Sequence, residues 1–465
     1  NNKSNNNYVI KDNMIVFDEP ERIDGQKSVL QLAVDPIPVV RIGFIGLGMR
    51  GASAVSRISH IEGVEFKALC DLSQQHVDQV RKYVIEARNL PKCDEYVGED
   101  EWKKLCERDD IDLVYICTDW ETHVPMAVYA MQHGKHVAVE VPAATSVEEC
   151  WQLVDVAEQT QRHCMMLENC CYGRREMMVL NMVKQGLFGE VVHCTGAYAH
   201  YLNECELFLD MLKGQDKEDV AHYRLKHYIE GNKENYPTHE IGPIAKVLNI
   251  NRGNRFVKLS SFSSKSVGIK SFAAEHFGEE SKYAKLDYKQ GDIINTIITC
   301  AGGETVSITL DTTLPRAYYS RNFSVRGTKG MSSEERKVVF LEGMKEGIAD
   351  NEVEMYKTYD HPLHAEYESV GTRGGHGGMD WLVCRAFVEA VKNGTNTPID
   401  AYDSVTWMAI GVLSERSIEG GGISVDFPDF TKGKWEDREP VVRCKYCLDD
   451  ICEDRSVKIF DDIEY

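Results

Sequence analysis

Residues 39–51, Val-Val-Arg-Ile-Gly-Phe-Ile-Gly-Leu-Gly-Met-Arg-Gly, restrict what this chain can fold into more than any other stretch. A short apolar run ends in Gly46-x-Gly48-x-x-Gly51, and Asp71 stands 20 positions beyond the last glycine. In a strand–turn–helix context this pattern cradles a dinucleotide. Gly46 permits the tight turn, Gly48 lets the backbone approach a pyrophosphate, and Gly51 lets the helix pack on the strand. The start of that helix offers unpaired N–H groups and a positive dipole end to the phosphates. Residues 64–71 read as a second strand with Asp71 at its carboxyl end, beside the adenosine ribose. A carboxylate there accepts from both ribose hydroxyls and repels a 2′-phosphate, so NAD is expected over NADP.

A chain of 465 residues exceeds what one hydrophobic core usually supports, so two domains are expected. Its 43% hydrophobic and 27% charged residues are those of an ordinary globular protein. No apolar run reaches the roughly 18 residues of a membrane span. A net charge of −21 disfavours nucleic acid and anionic lipid, leaving a small molecule or a glycan as the partner. Among fifteen cysteines, Cys70, Cys117, Cys300 and Cys384 lie in apolar patterns and read as buried thiols. Cys170-Cys171, and Cys444-x-x-Cys447 with Cys452, lack a fourth ligand at zinc spacing, so no metal is expected. The polar tract at 1–8 resembles the start of an exported chain whose signal has been removed. The many cysteines favour a reducing cytoplasm instead.

Residues 1–38 lack periodicity and read as an arm. From 39 to 168, strands at 40–45, 64–70, 112–117, 135–140 and 164–168 alternate with helices at 50–60, 73–88, 123–134 and 146–161. That alternation predicts an α/β Rossmann domain, a doubly wound parallel sheet with its ligand at the strands' carboxyl ends. From 169 to 430, a helix at 173–186 precedes strands near 189–198, 257–264, 291–300, 304–313 and 321–328. Their alternation of apolar and polar residues predicts an α+β domain with a large open, mostly antiparallel sheet. A homo-oligomer through that sheet is expected. A helix at 379–393 is expected to pack back on the Rossmann domain, and 431–465 reads as an extension, charged and peripheral from 437.

The strand ends carry Thr118-Asp-Trp120-Glu-Thr-His123, Glu140-Val141-Pro142 and Glu168-Asn169. With the glycine loop, this order resembles the Gfo/Idh/MocA oxidoreductase family from residue 39 to about 430. In most of that family a lysine assisting proton transfer stands where this chain has Val141. Valine moves no proton, and the departure points to one branch. Met49-Arg50, Trp120-x-x-His123, Glu140-Val141, Glu168-Asn169, Tyr236-Pro-Thr-His239, Asn251-Arg-Gly253 and Arg373-Gly-Gly-His-Gly-Gly-Met-Asp380 together resemble glycoside hydrolase family 109.

That resemblance implies tightly held NAD used to cleave α-N-acetylgalactosaminides or a related sugar without net oxidation. The sugar is oxidised at C3, the C2 proton becomes acidic, the glycosidic oxygen leaves by elimination, and water addition and re-reduction follow. The paired carboxylates of ordinary glycosidases are not needed. A sugar dehydrogenase and a non-catalytic NAD-holding sensor are the alternatives. His239 is the first candidate for acid/base work, its type being suited to neutral pH; the lesser alternative is a histidine that caps the following helix or packs in the core. Tyr198 and Tyr236 are candidate phenols for sugar contact or proton relay. Glu168 is either the base or a group that orients the cofactor ribose. The resemblance places Met49, Arg50, Trp120, His123, Glu140, Val141, Asn169 and Tyr223 around the cofactor. It places Arg224 and either Tyr318 or Tyr319 at the sugar, this chain being one residue longer there than the family pattern; His376 among glycines is either a substrate contact or part of a plain loop before a helix. The stretch between Tyr198 and Tyr236 is shorter than expected for the family, which bears on specificity because loops carry it.

Overall fold

In a computed structural model, residues 7–214, 221–344, 348–349, 352–369, 376–437, 446 and 448 are described. Six parallel strands form the first sheet, in the spatial order Asp94–Val97, Val64–Asp71, Val40–Ile45, Leu113–Ile116, His136–Val139 and Cys164–Met166. Helices Met49–Ile58, Gln74–Val80, His123–Gln132 and Val147–Thr160 cover its faces. All four residues of Leu113–Ile116 are buried, as a strand covered on both sides requires. The strand order reverses between Val40–Ile45 and Leu113–Ile116, so a crevice opens beyond Ile45 and Ile116. The edge strand Asp94–Val97 was not anticipated, because Asp-Glu-Tyr-Val at a half-exposed edge carries no apolar run.

The second sheet has eleven strands. Its centre is Phe256–Ser263, Ile293–Cys300, Thr305–Asp311 and Val191–Ala199, with Ser324–Gly327 beyond. Pairing is antiparallel except where Thr305–Asp311 meets Val191–Ala199 and where Ser424–Asp426 meets Met14–Phe17. Val306, Ile308 and Leu310 alternate inward, toward the side that carries helices Thr238–Val247 and Ala401–Glu419. Helix Met379–Asn393 packs on the Rossmann domain, as its buried apolar face requires.

Two expectations are corrected. Residues 1–38 are not simply an arm. Tyr8–Lys11 and Met14–Phe17 form a hairpin on the second domain's sheet, turned by Asp12 and Asn13 at φ 52° and 59°. Two left-handed residues make the tight turn that suits the twist of paired strands. Further on, Arg22 donates to the buried Glu158 at 2.8 Å. The extension from 437 is not wholly peripheral either. Tyr446 and Leu448 are buried, with the Tyr446 hydroxyl accepting from Arg385 Nε at 3.2 Å. Local charge hid two apolar anchors; the rest of 438–465 lies outside the described residues.

Candidate active site

The glycine loop has the shape its pattern implies. Gly46 sits at φ +93°, and a Cβ there would lie 2.1 Å from the Cys117 carbonyl oxygen. A Cβ on Gly51 would lie 2.0 Å from the Gly46 oxygen, whereas one on Gly48 would face open space. Helix Met49–Ile58 starts at Gly48 with no side-chain cap and no acid in its first turn. Its first N–H groups are thus open to an anion, and a pyrophosphate fits. Asp71 accepts from Leu47 N at 2.7 Å and Ser73 N at 2.8 Å, which fixes its carboxylate at the mouth of the crevice. Asp71→Ser is expected to weaken NAD binding about tenfold and admit NADP, as loss of one charge-assisted hydrogen-bonding group implies. Nucleotide titration of stripped protein checks this; continued exclusion of NADP would remove Asp71 as the selector.

Beyond the loop lies a cleft of about 1290 Å³, lined from both domains. Val141 lines it with a side chain that carries no proton. At its floor, Glu168 is fully buried and its Oε1 faces His239 Nδ1 at 2.7 Å. The same oxygen accepts from Cys170 N at 3.0 Å. Burial pushes the Glu168 carboxyl up, but the charge and hydrogen bond of His239 outweigh it and leave the group below its ordinary value. A carboxylate accepting the Nδ1 proton leaves Nε2 as the ring's basic position. Glu168 therefore orients His239, a partner not foreseen from the sequence. Helix Thr238–Val247 begins one residue before His239, at the turn made by Pro237. Cys170 Sγ also lies with these groups, the three donor atoms falling within 4.8 Å of one another.

The aromatic residues meet at this point. Tyr198 stacks on Tyr236 at 4.8 Å between ring centres, and each presents a perpendicular ring to His239 at 5.5 and 4.9 Å. Arg224 lies 4.9 Å over Tyr236 and 5.2 Å over Trp120, and its Nη1 donates to Glu206 at 2.7 Å. Tyr319 lines the cleft and meets the Tyr198 ring at 6.4 Å. Tyr318 points to Glu335, to which its hydroxyl donates at 2.9 Å. The extra residue in this loop is thus absorbed on the outside, and Tyr319 is the one facing the cleft. Met49 and the half-exposed Tyr223 also border it.

Other expected contacts acquire a bracing role. His123 is buried with Nδ1 2.6 Å from the Pro142 carbonyl and Nε2 3.0 Å from that of Thr118, tying two strand ends together. Glu140 accepts from the Tyr115 hydroxyl and, at 3.1 Å, from Arg50 Nε. Arg50 reaches on to Asp380 at 3.1 Å, and Asp380 also accepts from Asn169 Nδ2 at 2.6 Å. His376 Nδ1 stands 2.7 Å from Asp380 as well. Asp380 is therefore the hub joining the glycine-loop helix, the last strand end and His376, a role its place in the sequence motif does not reveal. Arg321, held by Glu176 at 2.6 Å, is a second cleft residue missed from sequence. Residues 373–375 of the glycine-rich motif lie outside the described residues.

Comparison with known proteins fits this geometry. Residues 40–168 match the oxidoreductase family with an NAD-binding Rossmann fold, and residues 172–437 match the C-terminal domain of glycosyl hydrolase 109. The chain belongs to glycoside hydrolase family 109. It is 44% identical over 418 residues to an alpha-N-acetylgalactosaminidase of Bacteroides fragilis, covering 89% of this chain and 96% of that relative. An alpha-N-acetylgalactosaminidase of Shewanella oneidensis is 42% identical over 422 residues, covering 89% and 90%. Among solved structures, levoglucosan dehydrogenase in complex with NADH superposes with a TM-score of 0.63 at 17% identity, over 84% of this chain and 99% of that one. That likeness shares the fold. The family 109 chain described here has an NAD-binding domain, and no helix among its described residues is long and apolar enough to cross a membrane.

Proposed function

We propose that this family 109 chain is an NAD-dependent glycosidase that cleaves α-linked N-acetylgalactosaminides or a closely related sugar. The observation that carries the reading is the Glu168–His239 pair, 2.7 Å apart at the floor of a cleft that runs from the glycine loop to the aromatic cluster. When bound, NAD supplies the reversible hydride acceptor at sugar C3. His239 Nε2 takes the proton of the C3 hydroxyl and returns it when the cycle closes. Burial pushes the Tyr198 phenol up, so it stays protonated and donates to oxygen that becomes negative during elimination. Arg224, Tyr236 and Tyr319 orient the sugar. Val141 leaves the pair without a competing lysine.

Supplied with p-nitrophenyl α-N-acetylgalactosaminide and no oxidant, the holoprotein is expected to release nitrophenol with no net gain in NADH absorbance. Steady NADH production from free sugars would replace this reading with a dehydrogenase, and binding without either product with a sensor. As part of the proposal, a homo-oligomer forms through the open sheet. Exposed Phe262 and Ile297, on one face of neighbouring strands, support it. Light scattering at assay concentration tests the assembly.

A further inference from the structure

Directly beneath the reaction centre lie two acids that no step above uses. Glu234 and Glu240 are both essentially without solvent contact. Glu234 Oε1 accepts from Tyr236 N at 3.1 Å, and Glu234 N donates to Ser414 Oγ at 2.9 Å. The other Glu234 oxygen and both Glu240 oxygens receive no donor from any other described group. The two carboxyls lie against each other, each within reach of a proton held by the other. Two buried carboxylates facing one another repel unless a proton lies between them. Glu240 is also pressed against the strand that ends near Tyr198, for a Cβ on Gly196 would lie 2.7 Å from Glu240 Cβ.

We propose that Glu234 and Glu240 are a proton-sharing carboxyl pair that positions Tyr236 and His239. Glu234 holds the Tyr236 N–H, and Glu240 is the residue after His239 on the same first helical turn. A hydrogen bond between them closes residues 234–240 into a stapled loop across Pro237, which sets the direction of both rings. Burial pushes Glu234 up to about 7, and burial with the charges of Glu234 and Glu168 pushes Glu240 well up. A neutral Glu240 also keeps a second negative charge away from the Glu168–His239 hydrogen bond. The functional weight of this staple rests on the role of His239 proposed above.

Infrared spectroscopy of the holoprotein at neutral pH separates the two ideas, since it needs no turnover. A protonated-carboxyl C=O band is expected in the wild type and is expected to be lost in Glu240→Gln. In kinetics, Glu240→Gln keeps a donor toward Glu234 and is expected to retain kcat within about threefold, whereas Glu240→Leu loses at least about tenfold in kcat with KM little changed and NAD retained. If the leucine variant does not fold, Glu234→Gln serves instead, with the band lost and kcat again kept within about threefold. Absence of the band in the wild type overturns the pair. Equal losses in the Gln and Leu variants, or full kcat in Glu240→Leu, overturn its positioning role.

Discussion

His239→Ala is expected to lower kcat about 10³-fold, the middle of the range for removing a positioned acid/base group, with NAD still bound. The ring lines the cleft with its Nδ1 fixed by the fully buried Glu168 carboxylate, beside the Tyr198 and Tyr236 rings. Its surroundings do not depend on it for packing, since Tyr198 and Tyr236 also stack on each other. Nucleotide content, measured by absorbance after denaturation, should match the wild type because the glycine loop and Asp71 lie elsewhere in the cleft. Glu168→Gln separates orientation from chemistry. An amide oxygen can still accept the Nδ1 proton but no longer supports a charged ring, so kcat is expected to fall by about 10²-fold. Near-normal turnover in His239→Ala would end its assignment as the proton carrier.

Asp380→Ala is expected to cost about 3 kcal/mol of stability, the low end for breaking a buried ion pair, because Arg50 keeps Glu140 and some solvent. Asn169 and His376 lose the same acceptor. Denaturant unfolding reads the stability, and faster loss of NAD on dilution reads the loosened loop helix. An unchanged unfolding midpoint with full NAD retention would show that the hub is dispensable. The hub also fixes a pH dependence. Burial pushes the Asp380 carboxyl up, but the His376 hydrogen bond and the Arg50 charge hold it well below its ordinary value. A carboxyl lowered on folding stabilises fully above its unfolded value and loses that contribution as pH falls. Wild-type protein should therefore weaken below about pH 4, and Asp380→Ala should weaken less steeply there. Matching acid limbs would refute the assignment.

How far the sequence reaches differs between the two domains. The parallel sheet was legible almost strand by strand, because fully buried strands are continuous apolar runs such as Leu113–Ile116. The hairpin at Tyr8–Lys11 and Met14–Phe17 was not, because four-residue strands at a sheet edge leave no period long enough to read. Within the site, residues marked by spacing or motif, such as His239, Asp71 and Gly51, were found. Asp380, Arg321 and the Glu234–Glu240 pair were not assigned roles. Their importance comes from which charges they meet, and those partners lie far away in sequence, as Arg50 and Asp380 do.

By itself the sequence determined the cofactor class, the two kinds of sheet and the family. Each depends on a local rule: glycines where a Cβ would collide, a carboxylate at a strand end, and valine where a proton carrier is usual. Only the tertiary structure decided that Glu168 orients His239, that Tyr319 and not Tyr318 faces the cleft, and that His123 braces two strand ends. Those outcomes depend on distances between groups brought together by packing, and a hydrogen bond of 2.7 Å between residues 168 and 239 leaves no mark on either local sequence. The glycine pattern at 46–51 reserves a place for NAD; the packing of both domains over it decides which side chains act there.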